Sequence, residues 1–214
     1  MPRRLAVLLL LSLSLLVPRA TGALGIEKGV RLGLNLANLR GDFAEIAKPD
    51  NKLGFVGGPF VAFAFVPGVA MQVEGLFSMK GAKLTGTTRD DAGNVLGTFD
   101  TFEELNYFEV PVLLRATPLP GAPVQPMITF GPTLGFGLGA NESSDAPGIP
   151  SAHLDHLKAV DVGFALGAGA GFRLGGRKVL TEVRYTTGFS DLWDIAGNRE
   201  SINSVFSLTM GLEF

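Results

Sequence analysis

The last nine residues read Phe206-Ser207-Leu208-Thr209-Met210-Gly211-Leu212-Glu213-Phe214. Every second residue is large and apolar and those between are small or polar, a period of two that fits a β-strand with one oily and one wet face. A sheet built from such strands needs a place for its apolar outer face. A closed barrel in a bilayer provides one, because closure pairs every backbone N–H and C=O and leaves no edge.

The other end of the chain points to the same destination. Arg3 and Arg4 precede an apolar run, Leu5 to Val17, interrupted only by Ser12 and Ser14; Pro18 breaks it, and Thr21-Gly22-Ala23 offers small residues to a signal peptidase. Residues 1–23 are therefore expected to be a signal peptide for the general secretory pathway, and residues 24–214 one outer-membrane β-barrel domain. The run falls short of the roughly 20 residues of a spanning helix. The chain has 18 Lys and Arg against 20 Asp and Glu, and loss of Arg3, Arg4 and Arg19 leaves 15 against 20, a net charge of −5. That balance gives no chain-wide attraction for nucleic acid.

Composition narrows the architecture further. Mean hydropathy is positive and charged residues are 18%, below the ~25% of ordinary soluble domains, yet no apolar segment is long enough for a membrane helix. The apolar excess must be distributed through strands. With no cysteine, disulfides, thiolate nucleophiles and soft-metal sites are excluded.

Period-two stretches recur along the chain. In the first, 27–39, Val30, Leu32, Leu34 and Leu36 alternate with Arg31, Gly33, Asn35 and Ala37. The second, 53–66, is apolar on both faces, so its lipid and lumen sides are not separated by pattern. The third, 69–83, sets Met71, Val73, Phe77 and Met79 against Gln72, Glu74, Ser78 and Lys80; the fourth, 105–116, sets Phe108, Val110, Val112 and Leu114 against Glu109 and Arg115. The fifth and sixth, 124–139 and 159–172, place glycines and threonines on one face and Phe, Leu, Ile and Val on the other, with Asp161 among the small residues. The seventh, 178–187, opposes Val179, Val183 and Tyr185 to Glu182 and Arg184. The terminal strand is the eighth.

The connections alternate as well. Residues 40–52, 84–104, 140–158 and 188–201 are long and polar, whereas Pro67-Gly68, 117–123 and 173–177 are tight. In an up-and-down barrel this places all long loops at one end and all short turns at the other, as in outer-membrane barrels. A secreted sandwich or lipocalin would share the strand count but would need a polar outer face.

These segments also carry a resemblance. Lys28–Asp42 (KGVRLGLNLANLRGD), Glu74–Lys83 (EGLFSMKGAK), Tyr107–Arg115 (YFEVPVLLR), Gly167–Phe172 (GAGAGF) and Glu182–Leu192 (EVRYTTGFSDL) resemble recurring segments of the PorT-like outer-membrane β-barrel family. The resemblance implies an all-β, eight-stranded antiparallel barrel, and it implies secretion-system components as partners, since the family takes its name from a member linked to secretion across the outer membrane. The chain departs from the family in having Phe77 where a tyrosine is common. It is also poor in other large interfacial aromatics, with only Trp193, Tyr107 and Tyr185 besides phenylalanine.

Candidate site residues lie mainly on the inward faces. Arg31, Glu74, Lys80, Glu109, Arg115, Asp161, Glu182, Arg184 and Glu213 bring both signs into a space that eight strands make just wide enough for side chains, where they are expected to pair as a plug. The glycines of the fifth and sixth strands would leave that wall smooth, which favours the competing reading of a narrow conduit. Phe206, Leu208, Met210, Leu212 and Phe214 form the C-terminal insertion signal, to be read by the barrel-assembly machinery and periplasmic chaperones. His153, Asp155 and His156 are weak candidates for a divalent metal, or for a surface general base. Gly167-Ala168-Gly169-Ala170-Gly171 lacks the helix start and downstream acid of a dinucleotide loop, and Asp90-Asp91-Ala92-Gly93-Asn94 reads as a hairpin tip rather than a calcium loop. No cofactor is expected. The functional expectation is a closed monomeric barrel embedded in outer-membrane lipid and lipopolysaccharide, with a structural, surface-interaction or secretion-accessory role; the alternatives are a lipid-modifying barrel enzyme and a narrow-pore or small-ligand transporter.

Overall fold

The computed structural model describes residues 25–41, 48–89, 92, 95–144, 152–153, 160–189 and 201–214. The strand segments are β1 (Ile26–Gly41), β2 (Lys48–Val66), β3 (Val69–Glu74), β4 (Leu76–Arg89), β5 (Val95–Ala116), β6 (Val124–Ser144), β7 (Ala152–His153), β8 (Val160–Leu174), β9 (Arg177–Gly188) and β10 (Ser201–Glu213). β3 and β4 act as one stave interrupted at Gly75, whose amide still donates to the Pro59 carbonyl at 3.0 Å. Both pair with β2 on one side and β5 on the other. Every pairing is antiparallel, and β1 meets β10 to close a ring of eight staves.

One ring of paired residues defines the closure. Ile26 pairs with Phe63, Phe63 with Met71, Met71 with Leu114, Leu114 with Phe130, Phe130 with Leu166, Leu166 with Tyr185, Tyr185 with Phe206, and Phe206 returns to β1 at Leu36. The walk comes back ten residues further along β1, from 26 to 36, so the strands tilt steeply across the barrel wall. An even displacement keeps the faces consistent, and all the residues on this walk are large apolar or aromatic side chains pointing outward.

That outer face is apolar around the whole ring. Leu32, Leu34, Phe55, Phe108, Phe130, Leu134, Phe164, Val183, Phe206, Leu208 and Met210 are all exposed, an arrangement that only lipid makes favourable. Among the described outward side chains, charges occur only towards strand ends, at Lys28 and Arg177 on one rim and at Asp50, Lys83, Asp100 and Glu104 on the other. Tyr185 stacks tilted against Phe206 with centroids 4.8 Å apart. Tyr107, by contrast, turns inward and is fully buried, so the described girdles are built almost wholly from phenylalanine.

The structure resolves the strand that pattern left ambiguous. Along β2, Leu53 and Phe55 are exposed while Val56, Phe60 and Ala62 are buried. Phe60 faces inward, where it packs with Met127 and Leu180 and its ring lies 5.8 Å from the Arg31 guanidinium, a cation–π contact. Staves also run further than the hydropathy pattern implies. β4 and β5 continue as a hairpin paired from Lys83 opposite Phe102 to Arg89 opposite Val95, so much of the expected long loop 84–104 is sheet standing beyond the apolar band. The opposite end is closed by short turns, Pro67-Gly68 with Gly68 at φ +85° and Gly175-Gly176 at φ +56° and +80°, values that favour glycine and suit the twist of tight hairpins. By the usual asymmetry of such barrels this is the periplasmic end.

Val112 lies on the outward face of β5, opposite Val73 of β3. Replacing it with Arg is expected to cost roughly 2 to 4 kcal/mol in urea unfolding from phospholipid vesicles, against less than about 1.5 kcal/mol for Val112→Leu; equal effects would mean that this face does not contact lipid.

Candidate functional site

The nine inward charges fall at three levels. At the centre, Arg31 of β1 donates to Glu182 of β9 at 2.6 Å and lies 3.5 Å from Glu74 of β3. Arg184 of β9 grips Glu74 through both terminal nitrogens, at 2.7 and 2.9 Å, and reaches Glu182 through Nε at 2.9 Å. Two guanidinium groups and two carboxylates thus form a closed neutral quartet in which every member is buried. Thr129 adds a hydroxyl donor to Glu182 at 2.6 Å. Removing any one member would strand a buried charge, a loss of about 3 to 5 kcal/mol.

Towards the long-loop end, Lys80 bridges Glu109 at 2.7 Å and Asp161 at 3.6 Å, and its ammonium lies 4.9 Å from the Tyr107 ring centroid. Asn203 donates to Asp161 at 3.2 Å. Towards the short-turn end, Arg115 pairs with Glu27 and, at 3.4 Å, with Glu213, and Lys178 reaches Glu213 at 3.2 Å. Gln72 links this level to the quartet, accepting from Arg115 at 3.1 Å and donating to Glu74. Arg115 and Glu109 therefore belong to different levels and do not neutralise each other. Asn35, held between Ser78 and Ser207 at 3.0 and 2.8 Å, packs the remaining polar space.

The glycine-lined wall is filled. A Cβ at Gly167 would overlap Glu182 Oε1 and Thr129 Oγ1, and one at Gly169 would meet the Thr181 carbonyl and, at 3.0 Å, the end of Met127. The β8 glycines leave room for the long side chains of β6 and β9, so the expectation of a smooth conduit wall is corrected. Sequence reasoning missed Glu27, Lys178, Gln72 and Thr129 as members of the network. Glu27, Lys178 and Gln72 fall on the inward parity of their own strands and were legible from it, Gln72 lying two residues from Glu74 and beside Arg115 of the neighbouring strand; Thr129 meets Glu182 over the intervening glycines of β8, which no strand pattern reports.

Of the other sequence candidates, His153 lies in β7 with its backbone opposite Asn141, while Asp155, His156, Asp90, Asp91 and Trp193 are outside the described residues. Among the described residues, no group of three His, Cys, Asp or Glu side chains is placed to hold a metal. Phe206, Leu208, Met210 and Phe214 of the terminal stave are exposed on the outer face, with Leu212 half-buried among them.

Beyond the apolar band, in the extracellular extension, Glu103 of β5 stands directly opposite Glu142 of β6, and its Oε2 is buried without a partner among the described residues. Burial, with the Glu142 charge adding to it, pushes its carboxyl up to about 7 from 4.5. At the outer surface nearby, hydrogen bonds from Lys83 and Thr85 hold Asp100 below the usual carboxylate range.

A closed eight-stave barrel with an apolar girdle and a charge-packed lumen is an outer-membrane β-barrel, and this one resides in the outer membrane. The chain belongs to the outer membrane protein beta-barrel domain family, which matches residues 18–194. No curated protein matches the chain in sequence. Among solved structures, it is similar to the attachment invasion locus protein Ail of Yersinia pestis, solved in complex with the heparin analogue sucrose octasulfate, at 15% identity over 88% of this chain and 99% of that one, with a TM-score of 0.44. It is also similar to Neisserial surface protein A at 10% identity over 89% and 99%, TM-score 0.48, and to OprG of Pseudomonas aeruginosa at 12% over 88% and 94%, TM-score 0.38.

Two outcomes follow from these environments. Gly167→Ala is expected to destabilise the barrel by roughly 1 to 3 kcal/mol through displacement of Glu182, whereas Gly175→Ala, at a turn with nothing within 4 Å, acts only through its positive φ and should cost less; urea unfolding of both variants checks this. For Glu103, the proton is bound in both folded and unfolded states below pH 4.5, and the unfolded chain releases it first as pH rises towards about 7. Stability therefore falls across that window and the penalty persists above it. Glu103→Gln should stabilise the protein by on the order of 1 to 2 kcal/mol at pH 8 and not at pH 4, and an equal effect at both would contradict the burial.

Proposed function

We propose that this protein is a closed, non-enzymatic monomeric barrel whose activity lies at its extracellular end, as a structural or surface-interaction component of the envelope. The resemblance of its strand segments to PorT-like barrels supports an accessory role in secretion across the outer membrane, with secretion-system components as partners. During biogenesis the exposed apolar row of β10, ending in Phe214, is the feature for the barrel-assembly machinery and periplasmic chaperones to read. Lipid and lipopolysaccharide surround the girdle.

The observation that carries the closed reading is the quartet of Arg31, Glu74, Glu182 and Arg184, whose exposures lie between 1% and 4%. An ion crossing the barrel must displace at least one of these charges from its partners in a medium of low dielectric. The levels above and below add two more barriers. A transporter would need a water path past all three, and a lipid-modifying enzyme would need a histidine set against a serine or acid at the lipid-facing rim.

Planar-bilayer recording tests this. The unmodified protein is expected to show little or no steady conductance. Shortening Glu109 and Arg115 together to Ala should leave it closed, because each comes from a different outer level and the quartet stays intact. Shortening Glu74 and Arg184 together removes one charge of each sign and leaves Arg31 paired with Glu182, and current should appear only when Lys80 with Glu109 and Arg115 with Glu213 are shortened as well, so that all three levels are opened. Large, stable single-channel currents from the unmodified protein would overturn the closed reading and favour the transporter.

A further inference from the structure

Below the lowest charge level the barrel opens into a blind vestibule of about 500 Å³ at the short-turn end, within the range of small-molecule sites. One wall is apolar, with Phe65, Val66, Pro67 and Pro120, and the other carries Arg115, Arg173 and Lys178 with Glu27 and Glu213. The floor is sealed. The next cavity inward, between Arg115, Gln125, Met127 and Leu180, has no room for water, and Phe60, Met127 and Leu180 form a buried apolar cluster beneath it. A solute that enters this mouth must leave by the same way, so the space can bind but not conduct.

The donors in the vestibule are unequally committed. Arg115 is spent on Glu27, Glu213 and Gln72. Lys178 makes one close contact, 3.2 Å to Glu213, and a long one of 3.9 Å to Glu27, and an ammonium has three N–H groups to give. The Arg173 side chain has no ion pair or hydrogen bond to a described residue, and its guanidinium fork suits a carboxylate or phosphate. Among the described residues, three cations face two carboxylates that are already neutralised, which leaves one positive charge in excess beside an apolar wall.

We propose that this periplasmic vestibule binds a small amphipathic anion, a carboxylate or phosphate carried on an apolar group, with Arg173 and Lys178 holding the charged end and Phe65, Pro67 and Pro120 receiving the apolar end. The site is separate from the quartet and from the extracellular loops. A soluble periplasmic solute and the headgroup of an anionic inner-leaflet lipid share this chemistry.

The test uses the full mature protein, as exported, in lipid nanodiscs, with phenyl phosphate as the probe and amide chemical shifts as the readout. Saturable shifts at Gly25, Gly68 and Thr117 are expected with phenyl phosphate and not with benzylamine. Lys178→Gln and Arg173→Gln should each weaken binding about tenfold, the loss of one charged hydrogen bond. Arg177→Gln, next to Lys178 but outside the lining, should leave binding unchanged while controlling for net charge. The Arg173 side chain is exposed and has no partner among the described residues, so its variant folds even if the Lys178 variant does not. Weaker binding in phosphatidylglycerol discs than in phosphatidylcholine discs assigns the site to lipid headgroups, and equal binding assigns it to soluble anions. Absence of saturable shifts, equal response to benzylamine, or equal loss in Arg177→Gln would overturn the proposal.

Discussion

Everything in this protein depends on the ladder between β1 and β10, which runs from Gly29 opposite Glu213 to Gly41 opposite Ser201. In hydrocarbon an unpaired backbone group costs several kcal/mol, so an open sheet of these strands could not persist in the membrane. Closing the sheet removes that cost at once along both edges. The closure also sets the lumen: eight tilted staves leave a space that side chains can fill and little more.

A narrow lumen turns residue size into residue pairing. Every inward position must hold something that fits, and the inward positions of β1, β3, β4, β5, β8, β9 and β10 hold charges. Desolvating a single one of them would be costly, and the solution is a set of cross-lumen contacts in which each charge meets one or more of the opposite sign. The β8 glycines belong to that solution, since the volume they omit is occupied by Glu182, Thr129 and Met127. Phe60 and Tyr107 are aromatics inside the barrel, and each has a lumen cation over its ring, Arg31 at 5.8 Å and Lys80 at 4.9 Å.

The two ends then differ in what they offer. The short-turn end is finished by tight glycine turns around a blind vestibule, whereas the other end carries the β4–β5 hairpin beyond the girdle, with the Glu103 and Glu142 carboxylates set face to face. In the closed barrel proposed above these are two independent surfaces with no aqueous route between them, which suits contact and recognition rather than passage.

What the sequence determined by itself was the alternation and its consequences. Residues 206–214 or 30–37 show which side chains share a face, because the period of a strand is a property of the local backbone, and the long and short connections show which end is which. The same parity picked out Arg31, Glu74, Glu182 and Arg184 as inward residues. It could not say which charge meets which, since Arg31 and Glu182 are 151 residues apart and their meeting depends on the stagger of all eight staves. Nor could it face β2, whose two sides are equally apolar, or show that the glycines of β8 are occupied space. Those were decided by the tertiary structure, because partners across a lumen are chosen by closure, tilt and side-chain length, none of which is a local quantity.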